Sequence, residues 1–305
     1  MTLLYTDRRF LDHDTGHHPE CALRLEVVTR HLEQTGLADR CERPGWSAAT
    51  PEQLSRVHEP ALVATVERVA RQGGGQLDPD TTVSAASFAV ASLAAGAAID
   101  ATRRVVAGDA ASALCLVRPP GHHALSGTAM GFCLFNNVAI AAQTAIDECQ
   151  LERVLIVDWD VHHGNGTQAI FYDDPRVGFF SIHRWPFYPG TGTADETGSG
   201  DGLGTTRNLP TKFGTPRDEY LATFKSELED FADRLRPQLV LVSAGFDSHR
   251  EDPIGSLGLE VDDFTALTQA VQGVADTHAE GRVVSLLEGG YHPQRLAECV
   301  AAHLG

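Results

Sequence analysis

The sequence predicts an α/β protein with a central parallel β-sheet flanked by helices on both faces. Two observations carry that expectation. Short apolar, β-rich runs recur along the chain with a helical pattern between successive runs, the alternation that gives parallel strands joined by crossover helices. Each run also ends abruptly in polar residues, and open parallel sheets bind ligands outside the carboxyl ends of their strands. The chain of 305 residues, 42% hydrophobic and 21% charged, can bury a sizeable core as one large domain or two small ones. No repeat, low-complexity tract or linker divides it.

In chain order, helices are expected over residues 19–35 and over the Ala-rich segment 84–106. A strand over 112–117 leads into Arg118-Pro-Pro-Gly-His122-His123, and a helix over 137–148 follows. The run 153–157 ends in Asp158-Trp-Asp160-Val-His162, with a helix over 167–172 behind it. The strand 177–182 ends at His183, and Pro216 suits the first turn of a helix over 216–235. The strand 238–243 delivers Asp247 after Ala-Gly-Phe, and Asp262 and Asp263 mark the start of a helix over 261–278. The last strand, 282–287, ends in Glu288-Gly-Gly-Tyr291, before a helix over 293–304 that opens on Pro293. Five strand ends therefore bring candidate chemistry to one edge of the sheet.

The run ending in Asp158, Asp160 and His162 is the most informative. Side chains alternate along an extended chain, so the three face one side. Unpaired buried charge is costly, and a divalent cation would neutralise it by taking Asp160 and His162 as ligands. A strand end opening into a solvated loop is the plainer alternative. Asp160, His162 and Asp247 make a set of one imidazole and two carboxylates, which leaves an open coordination position as a catalytic site requires. Such a set tolerates Zn²⁺, Fe²⁺ or Co²⁺, and a divalent ion there lowers the pKa of water to about 7 and polarises a carbonyl.

His122 and His123 follow a stiff Pro-Pro-Gly turn, where a histidine titrating near neutrality can take a proton from water and return it to a leaving amine. Tyr291 follows Gly289 and Gly290, which permit a tight turn, so its phenol could donate to a developing oxyanion. A core tyrosine is the bland alternative there. Arg24 and His183 have plain surface or capping readings of equal weight.

The net charge of −17 disfavours direct nucleic-acid binding, which needs a basic footprint, and suits a small cationic ligand or a lysine-bearing peptide. No apolar run is long enough for a membrane span, and the first residues do not resemble a signal peptide. The six cysteines (Cys21, Cys41, Cys115, Cys133, Cys149, Cys299) contain no C-x-x-C pair, which argues against a disulfide framework and for a reducing cytoplasm.

Together the motifs resemble the metal-dependent histone deacetylase family, including its bacterial deacetylase-like amidohydrolases and acetylpolyamine amidohydrolases. The resemblance runs from His17-His-Pro-Glu20 through Leu77-Asp-Pro-Asp80, Arg118 to His123, Gly131-Phe-Cys133, Asp158 to Gly166 and Ser243 to Asp247, ending at Glu288 to Tyr291. It implies a single-domain arginase/deacetylase fold over residues 1–305. It also implies that Asp160, His162 and Asp247 are zinc ligands, that His123 is general base and acid, and that His122, oriented by Asp158, is its electrostatic partner. Tyr291 is implied to polarise the carbonyl. Gly131, Phe132, Phe187 and Tyr188 are implied to wall a narrow acyl-lysine tunnel, with Cys133 beside it. Asp158, Asp160, Ser181 and the backbone of His162 and Ile182 are implied to bind a monovalent cation, K⁺ or Na⁺. Arg24 is implied to border a product-release channel.

Two positions qualify the resemblance. Asn165, the expected partner of His123, is an amide as in class II members, whereas class I members carry Asp; an amide orients the ring without raising its pKa as a carboxylate would. Ile254, after Asp252-Pro253, stands where polyamine-specific members of the class II branch carry Glu, and offers nothing to a distant ammonium. The expected function is therefore removal of an acetyl or other acyl group from a lysine side chain or lysine-like amine on a peptide, a protein or a small molecule. Acetylpolyamine deacetylation is the alternative within that chemistry. A non-catalytic acyl-lysine binding protein and an arginase-type manganese hydrolase are the alternatives outside it, and an oligomer is compatible with all of them. A binding protein would need a damaged site, and an arginase-type site needs a two-metal carboxylate cluster.

Overall fold

A computed structural model describes all residues 1–305. Seven strands form one wholly parallel sheet: β1 (Thr2–Tyr5), β4 (Ser112–Cys115), β5 (Val154–Asp158), β6 (Val177–Arg184), β7 (Thr206–Thr211), β8 (Leu239–Ala244) and β9 (Val283–Leu287). Their order is β1-β4-β9-β8-β5-β6-β7. A separate antiparallel hairpin joins β2 (Gly74–Asp78) to β3 (Thr81–Ser84).

Every residue of β5, β8 and β9 is buried, so both faces of the central sheet are covered. The helices separate into two groups. The Ala-rich α4 (Ser87–Ala107) packs on α5 (Asn137–Asp147), and together they lie against the central strands. The helices α7 (Arg217–Leu235), α8 (Val261–His278), α9 (Pro293–Leu304) and α1 (Ala22–Gln34) pack in that sequence as a contiguous row. The short α2 (Pro51–Leu54), α3 (Pro60–Arg71) and α6 (Asn165–Phe171) complete the set. No helix is long and apolar enough to cross a membrane.

Several expected elements differ at their ends for local reasons. The first helix begins at Ala22 rather than at residue 19, because Glu20 is drawn into a buried cluster of arginines ahead of it. The Ala-rich helix begins at Ser87 because residues 81–84 pair as β3. The sequence pattern did not reveal β1 and β7. β1 has four residues, and β7 contains Arg207, Asn208 and Pro210, a polar composition that only an edge strand tolerates.

Because all seven strands run the same way, their carboxyl ends lie along one edge. The register aligns them: Asp158 stands opposite Ser181 on one side and Ser243 on the other, and Ala244 stands opposite Leu287. The five polar strand ends anticipated from sequence therefore emerge at one level.

Candidate active site

Asp160, His162 and Asp247 converge just beyond β5 and β8. His162 Nδ1 lies 3.0 Å from Asp160 Oδ1 and 3.1 Å from Asp247 Oδ2. All three side chains are buried, and one ligand-type atom from each lies within 4.8 Å of the others. Asp247 Oδ2 has no hydrogen-bond partner although it is buried, while Oδ1 accepts from Val161 N at 2.9 Å. Burial and the neighbouring Asp160 push the Asp247 carboxyl up, and the two carboxylates lift His162 against the opposing effect of burial. An oxygen left unpaired beside a second carboxylate and an imidazole nitrogen is what a divalent cation would satisfy, so these residues fit a metal. Close backbone approach is part of the construction. Gly289 N donates to Asp160 Oδ2 at 2.8 Å, and a Cβ on Gly289 would stand 2.2 Å from Asp247 Oδ2.

The two histidines after β4 have opposite surroundings. His122 Nδ1 donates to Asp158 Oδ2 at 3.0 Å, and its Nε2 lies 3.9 Å from Asp160 Oδ1. Burial disfavours its charge, but the Asp158 and Asp160 carboxylates outweigh that and lift its pKa to about 10. Burial also pushes the Asp158 carboxyl up, against the lowering effect of the His122 imidazole. His123 Nδ1 donates to the amide oxygen of Asn165 at 2.7 Å. Burial, the His122 cation and His162 hold His123 well below the ordinary histidine range. The rings lie 4.0 Å apart. Glu288 anchors the turn that carries them, its Oε2 accepting from Gly121 N at 2.7 Å and His122 N at 3.1 Å. Sequence showed Glu288 only as a strand-end residue; its anchoring role depends on a contact 166 residues away.

Tyr291 is buried, with its ring edge-on to Phe132 at 5.8 Å and the Arg24 guanidinium 5.0 Å from its centroid. Burial and the nearby Asp247 raise its phenol well above the ordinary value, so it is a hydrogen-bond donor. Its amide donates to Asp252 Oδ2 at 2.6 Å, and Ile254 N donates to Asp252 Oδ1 at 2.9 Å, so the half-buried Ile254 shares an anchor with Tyr291. Arg24 is fully buried, which removes its surface reading. Its Nε donates to Gly290 O at 2.7 Å, its Nη2 to Glu288 O, and its Nη1 to Glu20 Oε1 at 3.0 Å. Glu20 also binds Arg118 through both oxygens, at 2.6 and 2.8 Å. Glu20 closes the His17-His-Pro-Glu20 motif of the sequence, but its hold on two buried arginines was not visible there, since an acid ahead of a helix is ordinary.

The remaining aromatic groups enclose the histidines. Phe187 stacks on His162 at 5.2 Å, and Tyr188 stands edge-on to His123 at 5.2 Å. Gly131 has φ +58°, and a Cβ there would lie 2.4 Å from His123 Cδ2, so the position admits no side chain. Cys133, buried, donates from Sγ to Gly131 O at 3.3 Å. Ser181 and Ile182 are buried on β6 beside Asp158. His183 faces away from the cluster: its Nε2 donates to Gly192 O at 2.9 Å, and its Nδ1 accepts from the Ser181 hydroxyl at 2.9 Å.

The family model for the histone deacetylase domain matches residues 18–305. The chain belongs to the histone deacetylase family. Among relatives, it is 43% identical over 300 residues to the human polyamine deacetylase HDAC10, covering 92% of this chain and 44% of that protein. It thus spans less than half of that relative. It is 39% identical to the histone deacetylase-like amidohydrolase of Pseudomonas aeruginosa, covering 93% of this chain and 75% of the relative. The crystal structure of the HDA15 HD domain superposes with a TM-score of 0.93 at 35% identity, over 99% of this chain and 87% of that one. By family the chain is a hydrolase acting on amides, of a generally metal-dependent kind. Its seven-stranded sheet is the arginase/deacetylase architecture.

Proposed function

We propose that the protein is a zinc-dependent deacylase that hydrolyses the amide of an acyl-lysine side chain on a peptide or protein. The observation that carries this is the convergence of Asp160, His162 and the unpaired Asp247 oxygen beside two histidines, one held by a carboxylate and the other by an amide. When bound by Asp160, His162 and Asp247, the cation supplies polarisation of the amide carbonyl and acidification of the attacking water.

The chain's own residues do the rest. His123, with Nδ1–H committed to Asn165, presents the Nε2 lone pair and takes the proton from water as it adds to the carbonyl carbon. The same nitrogen then delivers that proton to the lysine amine as the carbon–nitrogen bond breaks. His122, whose Nδ1–H is held by Asp158, acts as the electrostatic partner of His123. Tyr291 donates its phenolic proton in a hydrogen bond to that oxygen. Gly131, Phe132, Phe187 and Tyr188 confine the acyl-bearing alkyl chain and exclude water.

A K⁺ or Na⁺ ion held by Asp158, Asp160, Ser181 and the carbonyls of His162 and Ile182 would steady β5 and β6 beneath the site. The Ser181 hydroxyl donating to His183 supports this, because its oxygen lone pairs are left free. Arg24, behind Tyr291, would border the interior route for the released acid. Six free cysteines support a reducing, cytoplasmic setting.

The second reading, an acetylated polyamine as substrate, is favoured by 43% identity to a protein named polyamine deacetylase. Ile254 weighs against it. The test is acid release from acetyl-lysine peptides, longer acyl-lysines and acetylated polyamines by metal-loaded protein, with metal content measured in parallel. Hydrolysis of acyl-lysine that disappears together with bound metal in Asp160→Ala is the expected result. Full metal occupancy and normal turnover in that variant would sink the site assignment, and binding of acyl-lysine without hydrolysis would make the protein a non-catalytic reader.

A further inference from the structure

The carboxyl ends of β6 and β7 build a surface that extends outward from the tunnel wall at Phe187 to residues the deacylase chemistry does not use. Arg184, the last residue of β6, places its guanidinium 4.2 Å from the centroid of Phe187 and 4.7 Å from that of Phe213. Its Nη1 donates to Gly255 O at 2.9 Å, on the loop that carries Ile254. Trp185 N donates to Thr211 O at 2.7 Å and ties the two strand ends together. The result is a continuous stack, Phe187–Arg184–Phe213, whose inner member packs on the metal-cluster residue His162 and whose outer member is 65% exposed.

Two features of this stack call for an explanation. Phe213 is one of only five large hydrophobic side chains left exposed, and Tyr188, another, stands beside Phe187 in the chain. The second feature is electrostatic. In a chain of net charge −17, Arg184 has only carbonyl partners, and neither it nor the adjacent exposed Lys212 has a carboxylate within ion-pair distance. On the neighbouring strand β7, by contrast, the half-buried Arg207 is neutralised by Glu227. An unneutralised cation between two aromatic faces repels a polyammonium chain and attracts the π-face of an aromatic ring.

We infer that Phe187, Arg184 and Phe213 form a docking shelf for an aromatic side chain adjacent to the acyl-lysine of a peptide substrate, with Phe213 and Arg184 determining specificity. The inference rests on the acyl-lysine reading above. The occupant follows from continuity and charge. The shelf begins at the wall that would confine the lysine stem and runs outward along the surface, where the next residues of an extended peptide lie about 3.8 Å apart along the backbone. A ring there would complete a run of offset or edge-on aromatic contacts, with the guanidinium beneath it.

The experiment compares two acetyl-lysine peptides that differ only in having Phe or Gly next to the acetyl-lysine. For the metal-loaded wild type, kcat/KM is expected to favour the Phe peptide about fivefold to tenfold, with the difference in KM, as one good aromatic contact provides. Phe213→Ala should bring the ratio to within twofold, Phe213→Trp should restore it, and Leu203→Ala, which removes another exposed hydrophobe elsewhere, should leave it intact. A wild-type ratio near one, or a preference that survives in Phe213→Ala, overturns the shelf. Failure of the deacylase reading looks different: neither peptide is hydrolysed. The same two peptides, fluorescently labelled, then test the shelf by anisotropy, where a Phe213-dependent binding preference supports it and equal binding overturns it.

Discussion

Replacing Glu20 by Gln is expected to destabilise the protein and slow turnover together, because one carboxylate holds both the fold's buried arginines and the turn behind Tyr291. Glu20 is completely buried and receives Arg24 Nη1 at 3.0 Å and two nitrogens of Arg118 at 2.6 and 2.8 Å. Burial opposes its charge, but Arg118 and Arg24 prevail and hold its pKa at about 2, against an ordinary 4.5. A folded-state pKa depressed by that amount corresponds to about 3 kcal/mol of stability at neutral pH, at about 1.4 kcal/mol per unit. That contribution is complete above pH 4.5 and is lost as pH falls towards 2. Removing one partner of a buried ion pair independently suggests about 3–5 kcal/mol. Spread over the unfolding entropy of a chain this size, the loss lowers Tm by roughly 5–8 °C. Arg24 also clamps the carbonyls of Gly290 and Glu288, so the loosened turn should reduce kcat more than it raises KM. Differential scanning calorimetry between pH 7 and 4 should show a gap between wild type and variant that narrows once pH drops below 4.5. A Tm within 1 °C of wild type at pH 7, with the same pH dependence, would refute the reasoning.

Tyr291→Phe should keep fold and metal while losing about 10²–10³ in kcat, the usual cost of one oxyanion donor; turnover within threefold of wild type would remove the phenol from the mechanism. His123→Ala should damage turnover more than His122→Ala, since the neutral amide of Asn165 leaves His123 freer to give up and take a proton than the Asp158 carboxylate leaves His122, and kcat measured for both variants decides it. Ile254→Glu should raise the ratio of acetylpolyamine to acetyl-lysine peptide turnover about tenfold, through a charge-assisted hydrogen bond to the distant ammonium. A wild type that already prefers acetylated polyamines to every acyl-lysine would contradict the gatekeeper assignment.

Much of the candidate site was legible because the residues it brings together sit at strand ends, where periodicity and chemistry meet in a short stretch. The apolar run ending at Asp158 marked β5, and the alternate residues beyond it marked the candidate metal-binding triad. Asp247, His122, His123 and Tyr291 followed from the same rule applied to β8, β4 and β9. What remained hidden was held by partners distant in sequence. Glu20 reaches Arg118 across 98 residues, and Glu288 reaches Gly121 across 167, with no local pattern to announce either contact. The edge strand β7 was hidden for a different reason: one flank is unpaired, so its composition need not be apolar. The Arg184 stack also escaped notice, because an arginine followed by aromatic residues has no periodicity, and its meaning depends on β6 and β7 ending side by side.

The opposite states of His122 and His123 show how the parallel register becomes chemistry. The two residues are adjacent in sequence and equally buried, so burial alone would make both neutral. Their difference comes from what lies opposite. His122 turns inward towards the end of β5, where Asp158 and Asp160 lie two residues apart and both reach it. His123 points instead to the start of α6, where Asn165 offers an uncharged oxygen. Once His122 is cationic, it pushes its neighbour further from protonation, 4.0 Å away. The carboxylate pair thus raises the pKa of His122 directly, and through that charge adds to the burial that lowers the pKa of His123. The proposed division of labour between the two histidines therefore depends on Asp158 ending β5 level with Ser181 and Ser243, where the turn after β4 can meet it.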